Sequence, residues 1–230
     1  AAGSGQVSNE TLQSAFTELN NAHPGLRGIM TWSINWDSSQ NKNSFAQSNG
    51  RFLDSLSGEE TTKAPETTTK VAEETTKAPE TTTKVAETTT KTPETTTKVA
   101  ETTKPGTATS DLASRLLIGY YHTWDNSGNP FIKLRDVDKN WDVINISFAE
   151  PVSAGSTDGK MKFDISGLTA DYTKADFKND VKALQAQGKK IVLSIGGYEG
   201  YFSLTSQSAV NQFVSDIKSI VDEYGFDGID

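Results

Sequence analysis

The chain has 230 residues, 34% of them hydrophobic, with a net charge of −8 and no cysteine. That is material for the core of one or two domains, and it leaves no means of building a disulfide framework or a thiolate metal site. The excess of acid, 30 Asp and Glu against 22 Lys and Arg, argues against nucleic acid as partner, because phosphate binding needs clustered cations; a neutral polymer suits the chain better. No run approaches the roughly 18 apolar residues of a membrane span, and Ala1-Ala2-Gly3-Ser4-Gly5 has neither the charged nor the apolar region of a signal peptide. The chain therefore reads as beginning within a longer protein.

Residues 1–56 form the first segment. Val7, Leu12, Ala15, Phe16 and Leu19 recur at helical spacing, so a helix is expected from Ser8 to Asn21, with Ser8 or Asn9 as its cap. His23-Pro24-Gly25 is a turn. Leu26 to Asp37 is dense in apolar, β-branched and aromatic residues and reads as a buried strand; a second helix is expected from Ser44 to Leu56. Helix, strand and helix make one slice of an α/β protein, too little to fold alone. Trp32 and Trp36 fit either core packing or a stacking platform at a strand end.

Residues 57–110 are repetitive. Lys63, Lys70, Lys77, Lys84, Lys91 and Lys98 lie seven apart, and so do Glu66, Glu73, Glu80, Glu87, Glu94 and Glu101. The period is that of a coiled coil, but the only candidates for a seam are Ala, Val and Thr, and Pro65, Pro79 and Pro93 would break a helix repeatedly. Such a stretch cannot bury enough surface to offset its ordering entropy, so a solvated Thr/Pro/Lys/Glu linker is expected, open to O-glycosylation.

Residues 111–230 alternate in type. Leu116–Tyr121, Trp141–Ala149 and Lys190–Ile195 read as strands, Tyr172–Gln187 and Ser208–Tyr224 as helices ending at Gly188 and Gly225, and Phe226–Asp230 as a last strand. With no hairpin signal the expectation is a parallel sheet, either doubly wound or a (β/α)8 barrel. No Gly-x-Gly-x-x-Gly follows the first strand, which disfavours a dinucleotide site. Polar and aromatic residues instead gather at the carboxyl ends of the strands: Tyr120, Tyr121 and Trp124, then Phe148 and Glu150, then Ser194, Gly196, Gly197 and Tyr198, then Asp227 and Asp230. In a barrel those ends share one face.

Ser194-Ile195-Gly196-Gly197 resembles the Ser-x-Gly-Gly motif of family 18 glycoside hydrolases, the chitinases. Phe226-Asp227-Gly228-Ile229-Asp230 resembles the first half of their Asp-x-x-Asp-x-Asp-x-Glu motif. Gly119-Tyr120-Tyr121 with Trp124, and Asn145-Ile146-Ser147-Phe148-Ala149, look like the family's first two strands, and Gly28 to Asp37 like its eighth, whose Trp floors the sugar site. The resemblance implies an incomplete (β/α)8 TIM barrel over 111–230, its first four strands, preceded by the C-terminal piece of another barrel over 1–56. It implies a secreted chitinase that cleaves β-1,4 linkages of N-acetylglucosamine polymers by a retaining, substrate-assisted mechanism. Asp227 and Asp230 would be catalytic, with Tyr120, Trp124, Phe148, Ser194, Gly196, Gly197 and Trp32 against the sugar. The remaining motif acids would lie two and four residues past Asp230, so this chain is expected to be inactive alone. A chitin-binding lectin and an endo-β-N-acetylglucosaminidase share these features. Neither metal nor cofactor is expected; His23 and His122 have no ligand-like companions, and Glu150 matches no family role. Because first and eighth strands are neighbours in such a barrel, Arg27 to Trp36 is expected to dock beside Leu116 to Tyr121.

Overall fold

A computed structural model describes residues 7–57 and 115–230 apart from Glu199. The segment expected as a linker lies, but for Ser57, outside the described residues. The two flanks, expected as pieces of two barrels, belong to one compact unit and share one sheet.

Helix α1 (Asn9–Ala22) starts where its sequence provides a cap: Ser8 accepts a hydrogen bond from Thr11 N at 3.2 Å. Its buried Phe16 packs edge-on against Phe52 of α3 (Ser44–Ser57), with ring centroids 5.8 Å apart. Strand β1 (Gly28–Trp32) is shorter than expected. Ser33 ends it by capping a further helix, α2 (Ile34–Asn41), through a bond from Trp36 N at 3.4 Å, so Trp36 and Asp37 are helical. Asp37 then accepts from Phe45 N and Ala46 N, both at 2.9 Å, and fixes the start of α3. Burial pushes the Asp37 carboxyl above its ordinary pKa, an effect those two N–H groups oppose.

The second flank supplies β2 (Leu116–His122), β3 (Val143–Pro151), β4 (Met161–Phe163), α4 (Lys174–Ala186), β5 (Lys190–Ile195), α5 (Gln207–Tyr224) and β6 (Gly228–Ile229). The sheet order is β1-β2-β3-β5-β6, with every one of those pairings parallel. A sheet without a hairpin was the expectation. The structure corrects it, because β4 folds back antiparallel on β3 with Ala149 opposite Phe163, Glu150 opposite Lys162 and Pro151 opposite Met161. Three residues are too few to show alternation, and the return is made possible by glycines: Gly159 has φ +77° and passes so close to α5 that a Cβ would sit 2.0 Å from Ala209 O. The outward face of the sheet carries Leu117, Tyr121, Ile144, Ile146, Ile191 and Leu193, all buried in one core with Phe177, Val181 and Leu184 of α4 and Ile217 of α5. Capping chemistry sets the helix limits: α4 opens on a Thr173–Asp176 capping box and α5 closes on Gly225 at φ +74°.

The expected docking of the two flanks is present. β1 pairs with β2 in register from Gly28 opposite Leu116 to Trp32 opposite Tyr120. A Cβ at Gly28 would lie 1.8 Å from Leu116 O, and one at Gly119 would lie 2.5 Å from the Ile34 side chain. Asn35 clamps the main chain of His122 from both sides, donating to its carbonyl at 3.3 Å and accepting from its N–H at 3.0 Å. Arg115 donates to Leu56 O at 3.0 Å and to Asn20 at 3.3 Å. Among the described residues no helix is long and apolar enough to cross a membrane. Gly28→Ala is expected to lower the unfolding free energy by about 1–3 kcal/mol through steric conflict with β2, as measured by urea denaturation; an unchanged midpoint would contradict this register.

Candidate functional site

The carboxyl ends of β1, β2 and β3 carry the aromatic residues singled out in the sequence, and the pairing of β1 with β2 brings them together. Trp32 lies parallel to Phe148 (ring centroids 5.7 Å apart, planes 4° apart), 5.7 Å from Tyr120 and 6.2 Å from Trp124. Trp124 is in turn 6.0 Å from Phe148. Trp32 remains 49% exposed although it touches every one of these rings. The result is an aromatic floor open to solvent, beneath a cleft of about 650 Å³ bounded by Trp32, Trp124, Phe148, Glu150 and Tyr198. Gly197, at φ +101°, holds the backbone beside Phe148, where a Cβ would be 3.0 Å from the ring. Gly196 has φ +120°, so the two motif glycines serve the turn after β5 and the seating of Phe148.

A polar corner adjoins the floor. Asp230 Oδ2 accepts from Ser194 Oγ at 2.7 Å and from Tyr120 OH at 3.1 Å. Main-chain bonds from Asp230 N to Leu193 O (2.8 Å) and from Ile195 N to Asp230 O (3.0 Å) hold the residue level with the end of β5. Burial, and then the Asp230 charge and the bond to it, push the Tyr120 phenol above its ordinary pKa, so Tyr120 stays a donor.

Asp227, expected beside Asp230 as a catalytic acid, makes its contacts at the other end of β5. Its carboxylate accepts from Ile191 N at 2.8 Å and Gln185 Nε2 at 2.9 Å and pairs with Lys190 Nζ at 3.3 Å, all at the amino end of β5. A separation of three along a strand is odd, so the two acids point to opposite faces, roughly 10 Å apart along the chain. Asp227 is an anchor for the β5–β6 pairing. Its replacement by Ala should cost about 1.5–3 kcal/mol of stability and leave ligand affinity unaltered; calorimetric unfolding beside a binding titration separates the two effects.

His122, which the sequence left without a role, supports the floor from below. It is 1% exposed, its ring lies 4.9 Å from Trp124, and Nδ1 is 2.8 Å from Trp124 O. That carbonyl requires an N–H at Nδ1, which leaves Nε2 as the unprotonated, buried nitrogen. Desolvation pushes the His122 pKa below its ordinary 6.5, partly opposed by the bond to Trp124 O, the Asn129 side chain and the Asp125 charge. The unfolded chain therefore takes up this proton before the folded one does. The contribution of His122 is complete above pH about 6.5 and is lost as pH falls through the folded value. Urea midpoints at pH 7.5 and 5 should show a larger acid-side loss for the wild type than for His122→Asn; parallel losses would contradict this.

Glu150, Tyr198, Lys162 and Asp164 also reach the cleft or its continuation. Glu150, expected with Phe148 at this strand end, follows it by two residues and so shares its face; Lys162 and Asp164 depend on the unforeseen β4. Among the described residues no group of His, Asp and Glu could hold a metal ion.

Fold and site together define an α/β domain, its main sheet parallel, with an aromatic cleft at the carboxyl ends of the strands. The chain belongs to glycosyl hydrolases family 18, whose model matches residues 116–230. Exochitinase 1 of Streptomyces olivaceoviridis is 42% identical over 131 residues, covering 55% of this chain and 22% of that protein. Chitinase Chi52 of Paenibacillus xylanexedens is 46% identical over 117 residues, covering 51% and 21%. The chain thus spans about a fifth of the length of these curated relatives. Among solved structures, a family GH18 chitinase from Chromobacterium violaceum shares 35% identity over 55% of this chain and 33% of its own, with a TM-score of 0.46.

Proposed function

We propose that the chain is part of a secreted chitinase that hydrolyses β-1,4 linkages of N-acetylglucosamine polymers with retention, and that its 230 residues bind such polymers without cleaving them. Residues 111–230 would be the first half of one barrel, residues 1–56 the closing piece of a barrel of the same kind, and 57–110 the linker between them. The observation that carries this is the floor of exposed Trp32 and half-buried Trp124 and Phe148 beside an Asp230 carboxylate held by two hydroxyls. Aromatic faces suit the apolar faces of pyranose rings. A carboxylate bound by hydroxyls and by no cation retains its charge for a positive centre developing beside it.

In the substrate-assisted reaction the 2-acetamido carbonyl oxygen attacks the anomeric carbon, the bond to the leaving oxygen breaks, and a carboxylic acid donates its proton to that oxygen. Asp230 would orient the acetamido group and balance the charge spreading onto it, with Tyr120 and Ser194 keeping the carboxylate in place. Of the four motif acids the chain carries Asp227 and Asp230, and Asp227 is bound at the amino end of β5. No proton donor is thereby assigned, hence the expectation of binding without turnover.

Titration calorimetry with N-acetylglucosamine hexamer tests the proposal. Binding is expected, and Trp32→Ala should weaken it about tenfold, the equivalent of roughly 1.4 kcal/mol. Absence of binding, or an affinity indifferent to Trp32, would overturn it. Release of reducing ends above the buffer rate would overturn the expected inactivity.

A further inference from the structure

Asp230 takes both of its hydroxyls on one oxygen: Ser194 Oγ at 2.7 Å and Tyr120 OH at 3.1 Å each reach Oδ2. Ser194 is close at hand, on β5, the strand that pairs with β6. Tyr120 is not. In the order β2-β3-β5-β6 two strands stand between it and Asp230, so its side chain crosses the sheet. Tyr121, Ile144, Ile146, Ile191 and Leu193 are packed into the core, and alternation turns Tyr120, Asn145 and Val192 to the opposite face. The register names what lies on the path of the phenol: Tyr120 pairs with Asn145 on β3, and Asn145 with Val192 on β5.

Val192 has no polar side-chain atom to offer that phenol. Asn145 has, and at 4% exposure its amide is a buried polar group of the kind that takes a hydrogen-bond partner. Paired residues on adjacent strands stand about 5 Å apart and share a face, which puts the amide beneath the phenol. The sense of the bond between them follows from its effect. Burial, then the Asp230 charge and the bond to Asp230, push the Tyr120 phenol above its ordinary pKa, whereas the bond to the Asn145 side chain pulls it down. A hydrogen bond that favours the phenolate is one the phenol oxygen accepts, so the amide presents its NH2 group. A phenol has one proton and two lone pairs. With an amide donor on one side, the proton is left for the carboxylate on the other, and an ionised carboxylate, which can only accept, takes it there.

We propose that Asn145 is a positioning residue for Asp230 that acts through Tyr120: its Nδ2–H donates to the phenol oxygen, directs the phenol proton to Asp230 Oδ2 and holds the ring across the sheet. Asn145 touches no ligand in this arrangement. Its effect on ligand rests on the binding of N-acetylglucosamine polymers proposed above and deepens it, because the carboxylate assigned to the acetamido group is then set from two strands away. The relay from Asn145 to Tyr120 to Asp230 is a property of the free protein.

The test uses the full 230-residue chain, labelled with 13C at tyrosine Cζ and with 15N, for the wild type, Tyr120→Phe, Asn145→Leu and Asn145→Asp. Circular dichroism confirms folding of the variants. At neutral pH, Tyr120→Phe should shift the Asn145 side-chain amide resonances, and both Asn145 variants should shift the Tyr120 Cζ resonance. An Asn145 amide indifferent to Tyr120→Phe would overturn the proposal, even if neither Asn145 variant folds. Titration with N-acetylglucosamine hexamer reads the consequence. Asn145→Leu should weaken binding about fivefold, and the double variant with Tyr120→Phe should bind no more weakly than Tyr120→Phe alone, because the amide acts through the phenol. Losses that multiply would refute the relay. If the wild type binds no hexamer, the function proposed above falls, while the resonances still decide whether Asn145 holds Tyr120.

Discussion

The backbone of β1 lies against that of β2 so closely that Gly28 has no space for a side chain, and five residue pairs in register follow from that approach. Residues far apart in sequence are placed by it. α2 follows β1 directly and lays Ile34 over Gly119, while Asn35 grips the main chain of His122. His122 in turn holds the Trp124 carbonyl, and Trp32, at the end of β1, comes to rest on Phe148. A slip of one residue in this pairing would turn Trp32 to the opposite face and dismantle the floor.

The two acids of the last strand show how one residue type acquires two chemistries. Asp227 is neutralised by Lys190 and tied to Ile191 N, so its charge is spent on holding a strand. Among the described residues, the Asp230 carboxylate accepts from the hydroxyls of Ser194 and Tyr120 and has no ion-pair partner. The first arrangement suits an anchor, the second a group that has to meet a positive centre.

Periodicity and capping made most of the fold legible. Ser8 before an apolar repeat and Gly225 after one mark the ends of α1 and α5 in sequence and in structure. The stretch after Trp32 was misjudged because the apolar density of a buried strand equals that of a short buried helix; only the Ser33 cap separates them. β4 was invisible for want of length. At the site, Trp32, Trp124, Phe148, Tyr120, Ser194 and Asp230 could be named from motifs because each stands at a strand end. The contacts of Asp227 with Ile191 N and Lys190 could not be read from the motif, which lists acids without regard to which face each occupies. His122 and Lys162 owe their positions to tertiary contacts, the first to Asn35 and Trp124, the second to the antiparallel return of β4, and no local pattern announces either.

The floor joins side chains from both flanks, Trp32 from one and Trp124 and Phe148 from the other, which gives the domain a thermodynamic linkage. A ligand that stacks on all of these rings recognises only the molecule whose flanks are joined, so its binding free energy adds to the cohesion of the sheet, by about 2.7 kcal/mol at a concentration one hundred times Kd. By reciprocity, a substitution at the β1–β2 seam that touches no ligand would surface as a loss of apparent affinity, in proportion to the fraction of molecules whose flanks have parted. Cohesion of the sheet and the binding of any such ligand would thus be linked equilibria, each read in the other.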